Sequence, residues 1–459
     1  MARSKFLAYV GIAAAVSLGL AACAGSSAGE EAAEVEAADS GEVTWWGWTP
    51  DTPVAERYIE RFNEEYPDIE VTYRNFENVD FRTTIGPALD SGEGPDVFDV
   101  APAGGSPDTY SGYAVDLAPF AEEVLGAEWA SEFAGGYTDQ LSSSDGRLVA
   151  LPLGGLSAGF IWYNMEILEE AGTEVPTDYD SWVATCEAIT AIGKSCFTMG
   201  AGGEDTFPTE MYHSIANSVD PDFFIAAATG EANWDDPEGI QVLQIIRDMR
   251  DDGIIAPNAL DAPQYPLANE EFMRGDAAMV QMGSWYTQYA GAESCRAAME
   301  AAGVTNPTCF TQLPAPFPDV AGAGNGSVFF SEADYGLAIS SDSPNIAAAK
   351  TFVSWMTMTQ EGAQTVVNAI DVLPALQGVT PQWDNIELVN PEVQRPAIEE
   401  LFASSAEATQ SRQLLTSEAT LDAMVVAIQQ VLDPTANRSI EEIAADQQAG
   451  SEPSDLEVG

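Results

Sequence analysis

The fold is decided by a stretch that reads Val43-Thr44-Trp45-Trp46-Gly47-Trp48-Thr49-Pro50-Asp51-Thr52-Pro53. Apart from one glycine, its first six residues are β-branched or aromatic, which predicts a strand. Thr52 and Pro53 are typical of the N-cap and first turn of a helix, and apolar residues then recur every four positions up to Pro67. A second, alternating strand follows over 69–73. Because a strand, a helix and a strand in this order build a parallel sheet, the sequence predicts an α/β fold.

The same alternation continues along the chain. With 459 residues, the chain exceeds what one hydrophobic core usually serves, so two lobes are expected. A helix over 81–89 and a buried strand over 95–100 come next, and further helices are predicted over 166–171, 180–192, 239–251, 346–358 and 421–431.

The charge balance excludes one whole class of partner. The chain has 73 acidic and 16 basic residues, a formal net charge of -57. Nucleic acid is not expected to bind, because phosphate contacts need clustered Lys and Arg. Hydrophobic residues make up 46% of the chain, so it is a folded protein and not a disordered acidic polymer. We interpret the acidity as an adaptation to saline surroundings, with a cation-binding surface as the alternative.

The N-terminus has the features of an export leader. Two basic residues precede an apolar run of about 15 residues, which is shorter than the roughly 20 that span a bilayer and which leads to Leu20-Ala21-Ala22-Cys23. This order resembles the bacterial lipoprotein box, which implies that residues 1–22 are a signal peptide and that Cys23 receives a lipid. The alternative is a buried free cysteine in an N-terminal helix. Residues 23–42 contain nothing large enough to pack and are predicted to be a flexible acidic tether to the outer face of the membrane.

Four cysteines follow the leader, an even number that suits disulfides in an exported protein. The simplest pairing joins Cys186 to Cys196 and Cys295 to Cys309, although three connectivities are open. A zinc site is not expected, because the chain has no CxxC motif and a single histidine, His213. No other metal and no cofactor is predicted.

Several motifs follow the chain in a fixed order, and each of them is weak alone. They are Phe62-Asn63-Glu64-Glu65-Tyr66-Pro67, Gly94-Pro95-Asp96-Val97, Leu151-Pro152, Trp162-Tyr163-Asn164, Arg274-Gly275-Asp276-Ala277-Ala278-Met279, Met282-Gly283-Ser284-Trp285, Tyr335-Gly336-Leu337-Ala338-Ile339-Ser340 and Ala436-Asn437-Arg438-Ser439-Ile440-Glu441-Glu442. In this collinear order they resemble the bacterial extracellular solute-binding proteins that serve sugar-importing ABC transporters, relatives of maltose-binding protein. The similarity covers nearly all of the chain after the tether.

The resemblance implies a two-lobed α/β fold like that of periplasmic binding proteins, with interleaved lobes joined by hinge strands and ligand held in the cleft between them. Lobe one would comprise 43–150 and 316–372, and lobe two would comprise 151–315 and 373–459, which ends in an acidic tail. The chain would cross between lobes near 148–152, 312–316 and 372–376. The implied protein is a monomer that binds a sugar or oligosaccharide and docks on the permease subunits of an ABC importer. Its contact with the membrane would be through the lipid anchor alone.

Sugars present C–H faces and hydroxyl edges, so a sugar site needs aromatic surfaces and planar hydrogen-bonding side chains. Trp48 and Asp51 come at the carboxyl end of the first strand, where open α/β sheets bind ligands. For Trp48 the alternative is a core position, and for Asp51 it is a solvated turn. Trp45 points to the opposite face of the strand and is expected in the core. Gly104 and Gly105 follow a later strand, where they either admit a ligand or only turn the chain.

Further candidates come from the resemblance. Trp285 matches a family position whose tryptophan stacks beneath the sugar, with a core tryptophan as the alternative. Arg412 lies where maltose-binding protein has a stacking tryptophan, a departure that speaks against a long maltodextrin ligand. Among the remaining candidates, the alternative role of the glycines is to turn the chain. The alternative role of Asp334 is to cap a turn. The remaining candidates are Gly154, Gly155, Ser157, Glu204, Asp205, Phe207, Asn325, Asp334 and Tyr335.

Catalysis is not predicted. Paired carboxylates hydrolyse glycosides, yet no pair stands out among the many acids. His213 has neither a nucleophile elbow nor an HExxH motif around it and is predicted to be a packing or surface residue. The alternatives to a sugar binder are a secreted carbohydrate-active enzyme and a binder of a cationic small solute such as a polyamine.

Overall fold

The fold was obtained as a computed structural model that describes residues 35–203, 207–326 and 328–454. The predicted signal peptide and Cys23 lie outside these ranges. Within them, no helix combines the length and the apolar character that a membrane crossing requires. The strands of the described chain are β1 (Gly41–Gly47), β2 (Ile69–Asn75), β3 (Val97–Val100), β4 (Leu151–Ala158), β5 (Phe160–Asn164), β6 (Ser195–Thr198), β7 (Ala277–Val280), β8 (Gln312–Pro316), β9 (Phe330–Ile339) and β10 (Leu373–Pro374).

The six helices predicted after the first one lie within three residues of α2, α6, α7, α10, α13 and α16 as numbered here. A 3-10 helix over Ser284–Ala290 also contributes to the site described below. The α-helices of the described residues are α1 (Thr52–Glu65), α2 (Asn78–Ser91), α3 (Ser106–Tyr110), α4 (Ala118–Leu125), α5 (Tyr137–Gln140), α6 (Met165–Ala171), α7 (Tyr179–Ala191), α8 (Phe207–Val219), α9 (Phe223–Ala228), α10 (Pro237–Asp251), α11 (Asn269–Met273), α12 (Ala292–Ala301), α13 (Ile346–Met358), α14 (Gln360–Asn368), α15 (Pro391–Ala406), α16 (Glu418–Leu432) and α17 (Ile440–Gly450).

The first sheet has the strand order β10-β4-β9-β3-β1-β2. β1 pairs in parallel with both β2 and β3, so the predicted strand-helix-strand unit around α1 is present. β9 runs antiparallel to β3, with Val100 opposite Gly336. Asp334 and Tyr335 on β9 therefore lie just beyond the carboxyl end of β3, on the same edge of the sheet as the end of β1.

The second sheet has the order β6-β7-β5-β8, and each sheet has its own hydrophobic core. β5 runs antiparallel to β7 and β8, and β6 runs parallel to β7. Trp45, Phe62 and Trp355 pack in the core of the first sheet, which confirms the expected position of Trp45. Trp182 and Trp234 pack in the core of the second. The two largest of the four hydrophobic clusters in the described residues thus belong to different sheets, as expected for a chain of this length.

The chain first changes sheets at Gly159, which separates β4 from β5. Its φ is +101°, and the carbonyl oxygen of Val328 lies 2.7 Å from where a Cβ would stand, so a side chain does not fit here. The sequence places this crossing near 148–152, whereas residues 151–158 form one fully buried strand of the first sheet. The division into lobes at 150, 315 and 372 remains a prediction.

Both disulfides of the simplest pairing are present. Cys186–Cys196 joins α7 to β6, with its Cα atoms 5.0 Å apart. Cys295–Cys309 joins α12 to the segment before β8, with its Cα atoms 6.1 Å apart. The first disulfide therefore ties a helix to a strand of the second sheet, and the second ties a helix to the segment that leads into another strand of that sheet.

Replacing Cys186 and Cys196 together by alanine should lower the free energy of unfolding by about 2–3 kcal/mol, because a cross-link over a short loop restricts the unfolded chain to about that extent. Urea denaturation measures the change. Full reduction of the wild-type protein, which also opens the other disulfide, should lower the free energy at least as far. An unfolding midpoint that the double substitution leaves unchanged would contradict the expectation.

Candidate ligand-binding cleft

The buried carboxylate of Asp99 fixes the end of the tryptophan-rich strand. Asp99 is 0% exposed, and its Oδ1 accepts a hydrogen bond from Trp45 Nε1 at 2.8 Å. Its Oδ2 accepts from the backbone N–H of Trp48 at 3.2 Å. At Gly47 a Cβ would stand 2.1 Å from that carboxylate, so glycine is required there. Burial raises the pKa of Asp99 well above its usual value, while the bonds from the two tryptophans act in the opposite direction.

The loop that leaves this anchor carries Asp51 across to the second sheet. Asp51 occupies the N-cap position of α1 that the sequence assigns to Thr52, but its side chain makes no capping bond. Instead, Asp51 Oδ2 accepts a hydrogen bond from the Tyr289 hydroxyl at 2.7 Å. A second contact between the same parts of the molecule pairs Arg57 on α1 with Glu293 on α12 at 3.1 Å. The two sheets thus approach each other at the carboxyl end of β1, and we call the space between them the cleft.

Trp48 lies on the first wall of the cleft. Its ring centroid is 5.2 Å from that of Phe81 and 5.9 Å from that of Tyr335. Trp48 is partly buried, so it both packs on the core and presents surface at the end of the sheet. Tyr335 is 0% exposed, and among the described residues its hydroxyl has no hydrogen-bond partner.

The opposite wall is a cluster of aromatic rings around one cation. Trp285 donates from Nε1 to the Tyr265 hydroxyl at 3.1 Å, and its ring centroid is 6.0 Å from that of Phe207. The guanidinium carbon of Arg412 lies 5.2 Å from the Trp285 ring centroid and 5.5 Å from that of Phe207. We call Trp285, Phe207, Tyr265 and Arg412 the aromatic platform. Arg412 attracts the rings through their negative faces and so holds the platform together.

Arg412 is itself held by a buried acid. It forms a salt bridge with Glu210, in which Arg412 Nε donates to Glu210 Oε1 at 2.6 Å, and the two side chains are only 11% and 2% exposed. Burial lowers the pKa of Arg412, but Glu210 and the nearby carboxylates of Glu332 and Asp334 more than offset this, so the pKa is raised overall. Arg412 therefore links the platform to the acids on β9.

The acids at the centre of the cleft have raised pKa values. Burial raises the pKa of Asp334 to about 7, with repulsion from Asp371 and Glu332 adding to it and Arg412 opposing it. Burial also raises the pKa of Asp371 to about 6, although Asp371 Oδ1 accepts a hydrogen bond from Tyr58 at 2.9 Å. Asp51 is shifted in the same direction, again mainly by burial. The centre of the cleft is thus a dry, acidic region.

Seven of the predicted contact residues come together in this cleft, and their binding of a ligand remains a prediction. They form the two walls and the acidic region between them. They are Trp48, Asp51, Phe207, Trp285, Asp334, Tyr335 and Arg412.

Other predicted contact residues have structural roles. Gly104 and Gly105 have positive φ and turn an exposed loop after β3. Gly154 and Gly155 are not in a loop but in β4, where a Cβ would meet Val372 at 2.3 Å and the Tyr137 hydroxyl at 2.0 Å. The glycines of β4 thus allow close packing of the sheet.

Ser157 and Asn325 are occupied by contacts within the protein. Ser157 is 0% exposed, its backbone N–H donates to Ser284 Oγ at 2.9 Å, and its hydroxyl bonds to Ser405. Asn325 Nδ2 donates to the carbonyl of Ser218 at 2.9 Å, near the C-terminus of α8. That is about 17 Å along the helix from the platform residue at its N-terminus. Glu204 and Asp205 lie outside the described residues.

Several cleft residues were not predicted from the sequence. Asp371 had a usable signal, since it stands one residue before the predicted crossing at 372. Asp99 had one as well, as a carboxylate within a buried strand. For the others the decisive contacts join distant parts of the chain, and no local pattern shows them. They are Glu210, Tyr265, Tyr289 and Glu332.

His213 is a packing residue. Its ring stacks between Phe224 and Phe330, with centroid distances of 3.6 and 4.2 Å, and Nε2 pairs with Gln410 at 2.7 Å. Burial lowers its pKa to about 3, so it stays neutral. Among residues 35–203, 207–326 and 328–454, no three His, Cys, Asp or Glu side chains form a group that could hold a metal ion.

Sequence comparison places the chain in a family. The family model described as bacterial extracellular solute-binding protein matches residues 46–363. The chain belongs to this family. The family consists of binding proteins, and the two-lobed α/β fold that its members share is the fold found here.

Solved structures of 16–22% identity share the fold over about nine tenths of the chain. A chitin oligosaccharide binding protein is 22% identical with a TM-score of 0.63, covering 90% of this chain and 99% of its own. Maltose-bound MalE3 of T. maritima is 18% identical with a TM-score of 0.68, covering 89% and 98%. The GacH receptor of Streptomyces glaucescens is 20% identical with a TM-score of 0.66, covering 89% and 97%.

Two curated relatives match a shorter part of the chain. They are the probable sugar-binding periplasmic proteins of Brucella suis biovar 1 and Brucella melitensis biotype 1, each 24% identical over 191 residues. The match spans 37% of this chain and 44% of either relative, which is less than half of their length.

The raised pKa of Asp334 predicts a specific pH dependence of stability. The folded state keeps a proton on Asp334 up to about pH 7, whereas the unfolded chain loses it near its usual value of 3.8, so this group stabilises the fold at low pH and ceases to do so as the pH rises through 7. An Asp334→Asn variant, which is neutral throughout, should therefore gain stability over the wild type on going from near pH 5 to near pH 8. We expect a gain on the order of 1–3 kcal/mol from urea denaturation.

Glu187→Gln, which removes the same charge at an exposed position on α7, is the matched control and should show no such gain. An equal difference between Asp334→Asn and wild type at both pH values would show that the proton is not bound there.

Proposed function

We propose that this protein captures a sugar or oligosaccharide in the cleft between its two lobes and delivers it to the permease subunits of an ABC importer. The observation that carries the proposal is the aromatic platform around Trp285 opposite the carboxylates of Asp51 and Asp334. A sugar ring offers its C–H face to such a platform and its hydroxyls to such acids.

Three further findings support the proposal. The family is one of bacterial extracellular solute-binding proteins. The curated relatives are named as probable sugar-binding proteins. Proteins with the same fold include a chitin oligosaccharide binding protein and a maltose-bound MalE3.

The lobes would move relative to each other about the strands that join them. We propose lobe one as 43–158 with 316–372, which moves the first predicted boundary from 150 to the glycine at 159. Closure brings Asp51 against Tyr289, as in the present structure, and opening separates them to admit ligand. A closed surface that forms only around ligand is what a permease can recognise.

We also propose that the protein acts as a monomer anchored by lipid at Cys23 on the outer face of the cytoplasmic membrane. The tether, predicted over 23–42 but hydrogen-bonded to α13 at Ala38 and joined to β1 at Gly41, would keep the binding lobes near the permease and so raise their effective concentration there. Two acyl chains suffice for stable anchoring, where one is marginal.

Truncating the platform should weaken sugar binding. We expect Trp285→Ala to lower the affinity for the bound sugar about 10- to 100-fold, because a buried aromatic anchor contributes most of the contact at such a site. Isothermal titration calorimetry against a panel of mono- and oligosaccharides measures this without relying on tryptophan fluorescence.

Trp383→Ala is the control for that experiment, since Trp383 lies on a 3-10 helix, contacts Arg395 and packs against a hydrophobic cluster that includes Leu388 and Ile398, not against the platform. It should bind as the wild type does. Equal sugar affinities of Trp285→Ala and the wild type would show that the platform does not bind the sugar.

A Cys23→Ala variant should be released from the membrane while keeping its sugar affinity, because the proposed contact residues all follow the tether in the sequence. Membrane fractionation and calorimetry measure the two properties. Loss of affinity on this change, or retention at the membrane, would refute the tether.

A further inference from the structure

The centre of the cleft holds many more acidic than basic side chains. Five buried carboxyl groups lie close enough together to repel one another when ionised. Each of them either raises the pKa of another member of the group or has its own pKa raised by one. The cation among them, Arg412, is already paired with Glu210. Arg57 also lowers the pKa of Asp371, but it is paired with Glu293. The five are Asp51, Asp99, Glu332, Asp334 and Asp371.

A neutral sugar does not offset this imbalance. Hydroxyl groups hydrogen-bond to carboxylates, but they bring no charge to compensate for like charges held in a dry site. A ligand with a positive charge would lower the free energy of the ionised cluster directly. The excess of acids over cations therefore favours a ligand with a positive charge.

A second observation does not depend on the number of acids. Two buried polar atoms beside these carboxyl groups have no hydrogen-bond partner in the described part of the chain. Among the described residues, neither Asp371 Oδ2 nor the Tyr335 hydroxyl has a hydrogen-bond partner, although these residues are 1% and 0% exposed. The two groups lie close enough for Asp371 to raise the pKa of Tyr335. An ionised carboxylate oxygen can only accept, so Asp371 Oδ2 needs a donor that the described residues do not supply.

An organic cation fits this arrangement better than a metal ion. In the described ranges, no three acidic, histidine or cysteine side chains converge closely enough to hold a metal. The acids are instead strung along the cleft from Asp51, beside Tyr289, to Glu332, which accepts from the backbone N–H of Gln413 at 3.0 Å. Each ammonium group of an extended sugar can pair with a different acid along this row.

We propose that the sugar bound in this cleft carries a protonated amino group, as amino sugars do, and that Asp334 and Asp371 bind its ammonium. The inference rests on the proposed function, since it names the chemical class of ligand for the same cleft. The platform at Trp285 holds the ring, and the carboxylates distinguish the amine from a hydroxyl at the same position.

Calorimetry on matched sugar pairs tests the proposal. The pairs are glucose with glucosamine, galactose with galactosamine, and cellobiose with the fully deacetylated chitin disaccharide, which differ only in hydroxyl or ammonium at C2. N-acetylated forms serve as neutral amides, and ethanolamine controls for non-specific attraction of a cation to an acidic protein. For the pair that binds, we expect the amine to bind about tenfold or more tightly than the hydroxyl, the size of a hydrogen bond to a charged group.

Variants assign the preference to the two acids. In Asp371→Asn and in Asp334→Asn the ratio of amine to hydroxyl affinity should fall toward one, whereas Glu187→Gln, which removes an exposed charge on α7, should keep the wild-type ratio. Two separate variants keep the test usable if one of them folds poorly.

The outcomes are distinct. If a neutral sugar binds as tightly as its amine, the inference falls and the proposed function stands. If spermidine binds and no sugar does, the sugar assignment and the inference fall together. An amine preference that both variants keep would exclude Asp334 and Asp371 as its source.

Discussion

The carboxylate of Asp99 is the interaction on which the cleft depends. It accepts from the Trp45 indole in the core and from the backbone of Trp48 at the end of β1, and Gly47 leaves it the necessary space. A fully buried acid is costly unless its lone pairs are used, and here the tryptophan-rich strand uses them. Because β1 ends at this anchor, the following loop leaves the sheet in one direction and brings Asp51 to Tyr289 on the 3-10 helix Ser284–Ala290.

The parallel half of the first sheet, β1 to β3, was predictable because its signals are local. The apolar spacing of α1, the alternation of β2 and the short β3 are each written in fewer than fifteen residues, and the strand-helix-strand order then requires parallel pairing. The same holds for the disulfides, whose cysteines are 10 and 14 positions apart. The membership of the chain in a family of two-lobed binders came from collinear motifs, not from these periodicities.

The path between lobes and half of the cleft could not be predicted, because they depend on contacts between distant residues. Gly154 and Gly155 look like a loop in sequence, yet they are strand residues because Val372 and Tyr137 pack where their side chains would be. Tyr289 reaches a residue 238 positions away, and Arg412 pairs with one 202 positions away. A carboxylate such as Glu332 is recognisable as a cleft residue only once the backbone N–H of Gln413, 81 positions away, is seen donating to it.

A crystal structure with the tightest-binding sugar is the decisive measurement of whether ligand lies between the Trp48–Asp51 wall and the platform at Trp285. We expect a sugar ring stacked on Trp285, with its polar groups within hydrogen-bond distance of Asp51, Asp334 or Asp371. A sugar bound anywhere else, with Trp285 in contact only with protein, would show that the cleft is not the binding site.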